Sequence, residues 1–254
     1  MRILVTNDDG IFSEGIYQLA KALIPLGEVI VVAPNKEQSA TGHSITLHRP
    51  LRVSNTKFFD TELEAHAIDG TPVDCVKVAV EAILKDRKPD IVVSGINNGP
   101  NLGTDVIYSG TVSAAVEAAI LEIPSIAVSM ATTKIDTFKD AAEFACRIAK
   151  SIHQLYRSKV GIVNINYPTC RRESIQGIKI TSLGIRRYSS SLIERKDPRG
   201  DSYYWISGKA MDLEEAEDSD VMAVKNNFIS ITPIHFDLTH FKDLDSLRRM
   251  NFKV

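Results

Sequence analysis

Short β-branched runs alternate with helix-periodic stretches from residue 2 to about residue 166, and this alternation restricts the fold more than any other feature of the chain. Residues 2–6, 29–33, 90–94, 125–129 and 160–165 read as strands, with a shorter one over 65–68. Residues 15–26, 73–84, 111–121 and 138–156 carry apolar side chains at helical spacing. The 90–94 strand is continuously apolar at Ile91, Val92 and Val93, as a central parallel strand should be. Alternating βα units of this kind predict an α/β fold: a doubly wound, Rossmann-like parallel sheet with right-handed crossovers. The pattern changes after about residue 170. Residues 178–183, 203–207 and 228–232 read as strands with no helix between them, and 197–201 as a hairpin turn. The acidic run 212–220 reads as a solvated connection. The expected organisation is an α/β core over 1–170 and a β-rich C-terminal extension over 171–254, one domain in all, with the extension free to pair with another subunit.

Composition narrows the partners. The chain has 254 residues, 44% hydrophobic and 24% charged, enough to bury a large core. A net charge of −2 offers no bulk attraction to a nucleic-acid polymer or an anionic membrane. No segment approaches the ~20 apolar residues of a membrane span, and the first apolar run is only a strand long, too short for a signal peptide. Cys75, Cys146 and Cys170 fit neither a zinc spacing nor a disulfide framework. A cytoplasmic protein with three incidental thiols is expected.

In an open α/β sheet, ligands bind at the carboxyl ends of the strands. The first strand ends in Asn7-Asp8-Asp9-Gly10. Adjacent carboxylates repel unless a cation or a shared proton relieves them. This points to a hard divalent metal, Mg²⁺ or Mn²⁺, or else to a polar turn that caps the next helix. Ser94 to Gly103, S-G-I-N-N-G-P-N-L-G, ends the 90–94 strand and offers Asn97, Asn98 and Asn101 as neutral oxygen donors, or forms an Asn/Gly-rich turn. Ser109, Gly110 and Thr111 sit where the alanine-rich helix begins, as an anion site for phosphate or as plain helix capping. His43, in the hydroxyl-rich loop 35–50, is either a general acid or transition-state donor or a structural histidine, and Ser39 in that loop is a modest metal ligand.

Absent motifs exclude other chemistries. No G-x-G-x-x-G follows the first strand and no P-loop occurs. Asp8-Asp9 lacks the D-x-D spacing of aspartyl-phosphate phosphatases. A phospho-receiver module would need an aspartate and a lysine at later strand ends, where this chain has Ser94-Gly95 and Ser129-Met130.

Six motifs recur in one order: N-D-D-G at 7–10, A-P-x-x-x-x-S-A-T-G-H-S-I-T at 33–46, G-T-P-x-D-C-V at 70–76, S-G-I-N-x-G-x-N-L-G at 94–103, Y-S-G-T-V at 108–112 and S-I-T-P at 230–233. In these the chain resembles the SurE stationary-phase survival protein family. The resemblance implies a metal-dependent phosphatase of nucleoside 5′- and 3′-monophosphates, sometimes of short polyphosphate. It implies one divalent metal on Asp8, Asp9, Ser39 and Asn97. It also implies a homodimer or homotetramer with exchanged C-terminal segments. Phosphate would then be held by Asn101, Ser109, Gly110 and Thr111, and the candidate catalytic residues are Asp8, Asp9 and His43. One departure is Asn226-Asn227 before Phe228, where the family pattern leads us to expect a glycine. The alternative function is a non-catalytic, metal-dependent nucleotide-binding protein.

Overall fold

Arg2–Thr6 (β1) is apolar on both faces, and Ile3, Leu4 and Val5 are fully buried. It lies mid-sheet, flanked in parallel by Glu28–Pro34 (β2) on one side and Ile91–Asn98 (β5) on the other. The computed structural model describes residues 1–131, 138–156, 160–168, 170–189, 192–211, 216–250 and 252. Beyond β2 lie Glu64–Ile68 (β4) and Val53–Asn55 (β3); beyond β5 lie Ser125–Met130 (β6), Ile162–Tyr167 (β7), Phe228–Ile234 (β13) and Gly177–Ile180 (β8). The nine-stranded order is β3-β4-β2-β1-β5-β6-β7-β13-β8. Because the chain winds outward from β1 in both directions, the topological switch point falls between β1 and β5.

Side chains alternate across each strand, and the helices cover both faces. Ile3, Val5, Val29 and Val31 pack with Ile16 and Leu19 of Glu14–Leu23 (α1) and Phe144 of Phe138–Leu155 (α4). Leu4, Ile30 and Val32 pack on the other face with Val76 of Pro72–Val78 (α2) and Ala114 and Ala118 of Gly110–Ile120 (α3). Thr71 and Asp74 form a reciprocal capping box at the start of α2, which accounts for the G-T-P-x-D motif in structural terms.

The structure amends several expectations. The sheet is mostly but not wholly parallel: β3 runs antiparallel to β4, and β13 antiparallel to β7. Strand β5 continues past Ser94 to Asn98, with a register shift between Ser94 and Asn97. The extension is not purely β. Asp220–Lys225 (α5) and Phe241–Arg248 (α6) are helices, both too short to leave a clear 3.6-residue signature. Asp220, expected in a solvated connection, is fully buried and opens α5; residues 212–215 of that acidic run lie outside the described residues. Asn227 follows the end of α5 at φ 60°, so the site of the missing glycine does need a left-handed residue, and asparagine is the next most tolerant choice. The extension also forms an antiparallel hairpin of Leu192–Lys196 (β10) and Ser202–Ile206 (β11), and a short ribbon of Arg187–Ser189 (β9) with Lys209–Met211 (β12).

Candidate active site at the β1/β5 switch point

Asp8 lies two residues beyond β1 and is 6% exposed. Its carboxylate rests on the N-terminus of α3, where the hydroxyl and the backbone N–H of Thr111 both donate to it. Gly110 permits this approach, since a Cβ there would lie 2.8 Å from Asp8 Cβ and 3.0 Å from its Oδ2. Burial raises the Asp8 pKa despite the two donations from Thr111. Asp9 is pushed up to about 6, by burial first and then by the charge of Asp8, while the Asn98 N–H, 3.2 Å from its Oδ2, pulls it down. Glu37 adds a smaller upward push on both carboxyls.

The other candidate residues arrive on neighbouring strand ends and loops. Asn97 donates through Nδ2 to the Gly99 carbonyl at 2.8 Å, which leaves Oδ1 as an acceptor. Ser39 is exposed, and its hydroxyl donates to Glu37 Oε1 at 2.5 Å. Ser109 caps α3 by accepting from the Val112 N–H at 3.1 Å. Asn101 is buried and donates through Nδ2 to Ser129 Oγ at 2.7 Å; its N–H donates to Asn166 Oδ1, and its carbonyl accepts from Asn164 and Asn166 Nδ2.

His43 goes elsewhere. Its Nε2 lies 3.0 Å from Oε2 of Glu117, a carboxylate six residues along α3 from Thr111, or about 9 Å of helix axis. The whole hydroxyl-rich loop is strapped across the starts of α2 and α3. Gly42 N–H donates to the Tyr108 carbonyl, Thr71 Oγ1 to the Ser44 carbonyl, and Thr46 N and Oγ1 to the Asp74 carboxylate. The structure thus brings Asp8, Asp9, Gly110 and Thr111 together and places His43 on Glu117.

Sequence reasoning missed Glu37, Glu117, Ser129, Asn164 and Asn166. Only the last two left a usable signal, since two asparagines in the buried strand β7 are out of character for a core strand.

The donor chemistry at the switch point fits a hard divalent cation. Two crowded carboxylates with raised pKa values are relieved by a cation, and neutral amide and hydroxyl oxygens lie on the adjoining loops. Among the described residues, no group of three or more His, Cys, Asp or Glu is disposed to hold a metal, so any ion here rests on the aspartates with neutral oxygens and water. Thr6 Oγ1, Asn7 Oδ1 and Ser94 Oγ are buried at these same strand ends without a partner among the described residues, and Thr6 and Ser94 face each other in register. Unpartnered buried oxygens of this kind mark a place for water or an ion.

Comparison with known proteins agrees over almost the whole chain. The family model described as "Survival protein SurE" matches residues 3–190. A 5′-nucleotidase SurE of Alkaliphilus metalliredigens is 63% identical over 253 residues, covering 100% of both chains. One from Carboxydothermus hydrogenoformans is 52% identical, covering 98% of this chain and 95% of that protein. The crystal structure of the SurE protein from Aquifex aeolicus superposes with a TM-score of 0.83 at 41% identity, covering 98% of each chain. Family match, full-length identity and shared fold together show that this chain belongs to the SurE family.

Proposed function

We propose that the chain is a divalent-metal-dependent phosphomonoesterase of nucleoside 5′-monophosphates that also accepts 3′-monophosphates and short polyphosphate. The observation that carries this reading is the Asp8–Asp9 pair at the switch point, Asp8 on the N-terminus of α3 and Asp9 on the Asn98 N–H, in a chain whose full-length relatives are named 5′-nucleotidases. Asp8, Asp9, Asn97 and Ser39 would hold one Mg²⁺ or Mn²⁺. Such an ion neutralises phosphoryl charge and lowers the pKa of a water it binds. Ser39 would be available as a ligand only with its hydroxyl released from Glu37.

The remaining chemistry belongs to side chains and backbone. Thr111 directs its N–H and O–H at Asp8, so it holds the carboxylate in place. Ser109 accepts from Val112 and still has a hydroxyl hydrogen to give. That hydrogen and the Gly110 N–H, at the positive end of the α3 dipole, are the donors for phosphate oxygens. Asn101 contributes if its amide turns over, because Ser129 Oγ can either accept or donate. His43 holds the 39–46 loop over this edge from its seat on Glu117.

The same reading includes a homodimer or homotetramer with exchanged C-terminal segments. Every residue of β10 and β11 is exposed, Trp205 and Ile206 among them, and α6 buries none of its residues. Among the described residues this hairpin pairs with no further strand, and exposed apolar hairpins of this kind are normally covered; a second copy covers it by symmetry. Among the described residues no helix is long and apolar enough to cross a membrane. With its three cysteines free, the chain fits a reducing cytoplasm.

The test is phosphate release from a panel of nucleoside monophosphates, with and without chelator, alongside light scattering. Turnover that survives chelation contradicts the metal role. Metal-dependent binding without turnover makes the protein a nucleotide-binding module instead. A monomer contradicts the exchange.

A further inference from the structure

The segment from Asn97, near the end of β5, through Asn101 to Gly103 is held from two sides, and one of them is the C-terminal extension of the same chain. From the core, β7 pins Asn101: Asn166 accepts from its N–H at 2.8 Å, and Asn164 and Asn166 each donate to its carbonyl at 2.9 Å. From the extension, the fully buried carboxylate of Asp220 accepts from Gly103 N–H at 2.8 Å and Gly184 N–H at 2.9 Å, besides its own neighbour Val221. Gly103 has φ 54°, and a Cβ there would lie 2.6 Å from the Gly184 carbonyl oxygen, so the two backbones are in direct contact. Two residues on, Arg186 Nη1 meets Asp105 Oδ2 at 2.9 Å, Tyr188 donates to the same oxygen at 2.6 Å, and Thr104 Oγ1 donates to the Arg186 carbonyl.

A buried carboxylate is costly and is repaid only by well-made hydrogen bonds. An apolar side chain would fill the space at α5 more cheaply, so what Asp220 adds is geometry: it links the turn at Gly103 to the strand-end loop at Gly184. Gly103 opens the helical turn Gly103–Ile107, which runs directly into Tyr108, Ser109 and Gly110. Any shift of Gly103 therefore moves Asn101 on one side and the start of α3, with its hold on Asp8, on the other.

We propose that the extension braces the active site of its own chain, with Asp220 as the positioning residue that fixes the Gly103 turn. This rests on the nucleotidase reading above but differs from it, because it assigns the extension a task within one chain in addition to pairing between chains.

The experiment uses Asp220→Asn in the full chain. The amide keeps one acceptor and presents an N–H₂ to the other backbone N–H. Kinetics with a nucleoside 5′-monophosphate, light scattering and amide exchange at Gly103 and Asn101 are measured together, well below the unfolding midpoint. The expected result is a loss of kcat of roughly tenfold to a hundredfold, as for a small misplacement of catalytic groups. KM should change less, the assembly mass should be unchanged, and exchange at Gly103 should be faster. A kcat within twofold of the parent in the folded variant overturns the proposal, and so does a loss of activity that tracks a loss of assembly mass. If Asp220→Asn fails to fold, Arg186→Ala removes the half-buried pair with Asp105 and the guanidinium over the Tyr188 ring, leaves Asp220 in place, and is judged by the same readouts. Absence of turnover in the parent itself refutes the nucleotidase reading, whereas faster exchange at Gly103 reports on the brace without any activity.

Discussion

Replacing Asp8 by asparagine should abolish turnover and, without metal, make the protein more stable. The side chain keeps its volume, and its Oδ1 still accepts from the Thr111 hydroxyl. What changes is charge. Asp9 stands at about 6 against an ordinary 3.8, roughly two units, or about 3 kcal/mol if the whole shift counted. Burial is the larger cause and remains after the substitution; the charge of Asp8 is the second cause and is removed. Asp8's own raised carboxyl also stops titrating, while the Thr111 N–H loses an ionic acceptor. A net gain of about 1–2 kcal/mol at pH 7.5 follows, or about 2–6 °C for a chain of this size. A carboxyl raised in the folded state stabilises the fold fully below its unfolded pKa of 3.8, and that contribution is lost as pH rises to about 6. The parent in chelator should therefore weaken between pH 4 and 6.5, and the gap to Asp8→Asn should open over that window and close towards pH 4. Thermal unfolding in EDTA from pH 4 to 8, run beside nucleotide hydrolysis at saturating Mg²⁺, reads both effects. A variant less stable than the parent at pH 7.5, a gap independent of pH, or near-parental turnover would refute the reasoning.

Four further outcomes are expected. Gly110→Ala drives a methyl to 2.8 Å from Asp8 Cβ and 3.1 Å from Pro72 Cγ; it should cost about 1–3 kcal/mol in chemical denaturation and lower activity more than tenfold, and an unaffected enzyme would mean that Asp8 need not sit on α3. Thr111→Val strips Asp8 of its hydroxyl donor at a fully buried position, so stability should fall by about 1–3 kcal/mol and Mn²⁺ binding at pH 6 should weaken; unchanged metal affinity would confine Thr111 to capping or to phosphate. Mn²⁺ affinity by calorimetry should fall at least about tenfold per pH unit below about 6, because Asp9, and Asp8 with its own raised carboxyl, must shed protons to bind, and a flat profile from pH 5 to 7 contradicts the role of Asp9 as a ligand. His43→Ala leaves the buried Glu117, among the described residues, with Lys77 at 4.0 Å as its ion-pair partner, so loop protection and stability should drop by about 1–2 kcal/mol with kcat nearly kept; a hundredfold loss of kcat at unchanged stability would make His43 a participant in the chemistry.

The alternation of strand and helix, the parallel core and the clustering of Asp8, Asn97 and Gly110 at one sheet edge were legible in the sequence. Hydrophobic periodicity and strand-end rules act locally and need no knowledge of distant partners. The resemblance carried by six ordered motifs was legible for the same reason, since each motif is a contiguous stretch. Partnerships made across the sheet were not legible. Nothing in Thr111 says that its hydroxyl turns to Asp8, 103 residues earlier, rather than to a ligand. Nothing in His43 announces a seat on Glu117, because the strapping of its loop depends on how α2 and α3 pack side by side. The acidic run ending at Asp220 looked like solvated chain because charge predicts exposure unless backbone donors converge on it. Those donors, from Gly103 and Gly184, meet only once β13 has returned the extension to the main sheet. Local pattern determined the elements and the edge at which they open; tertiary packing alone decided which polar groups satisfy one another there, because a buried hydrogen bond is set by the meeting of two distant segments.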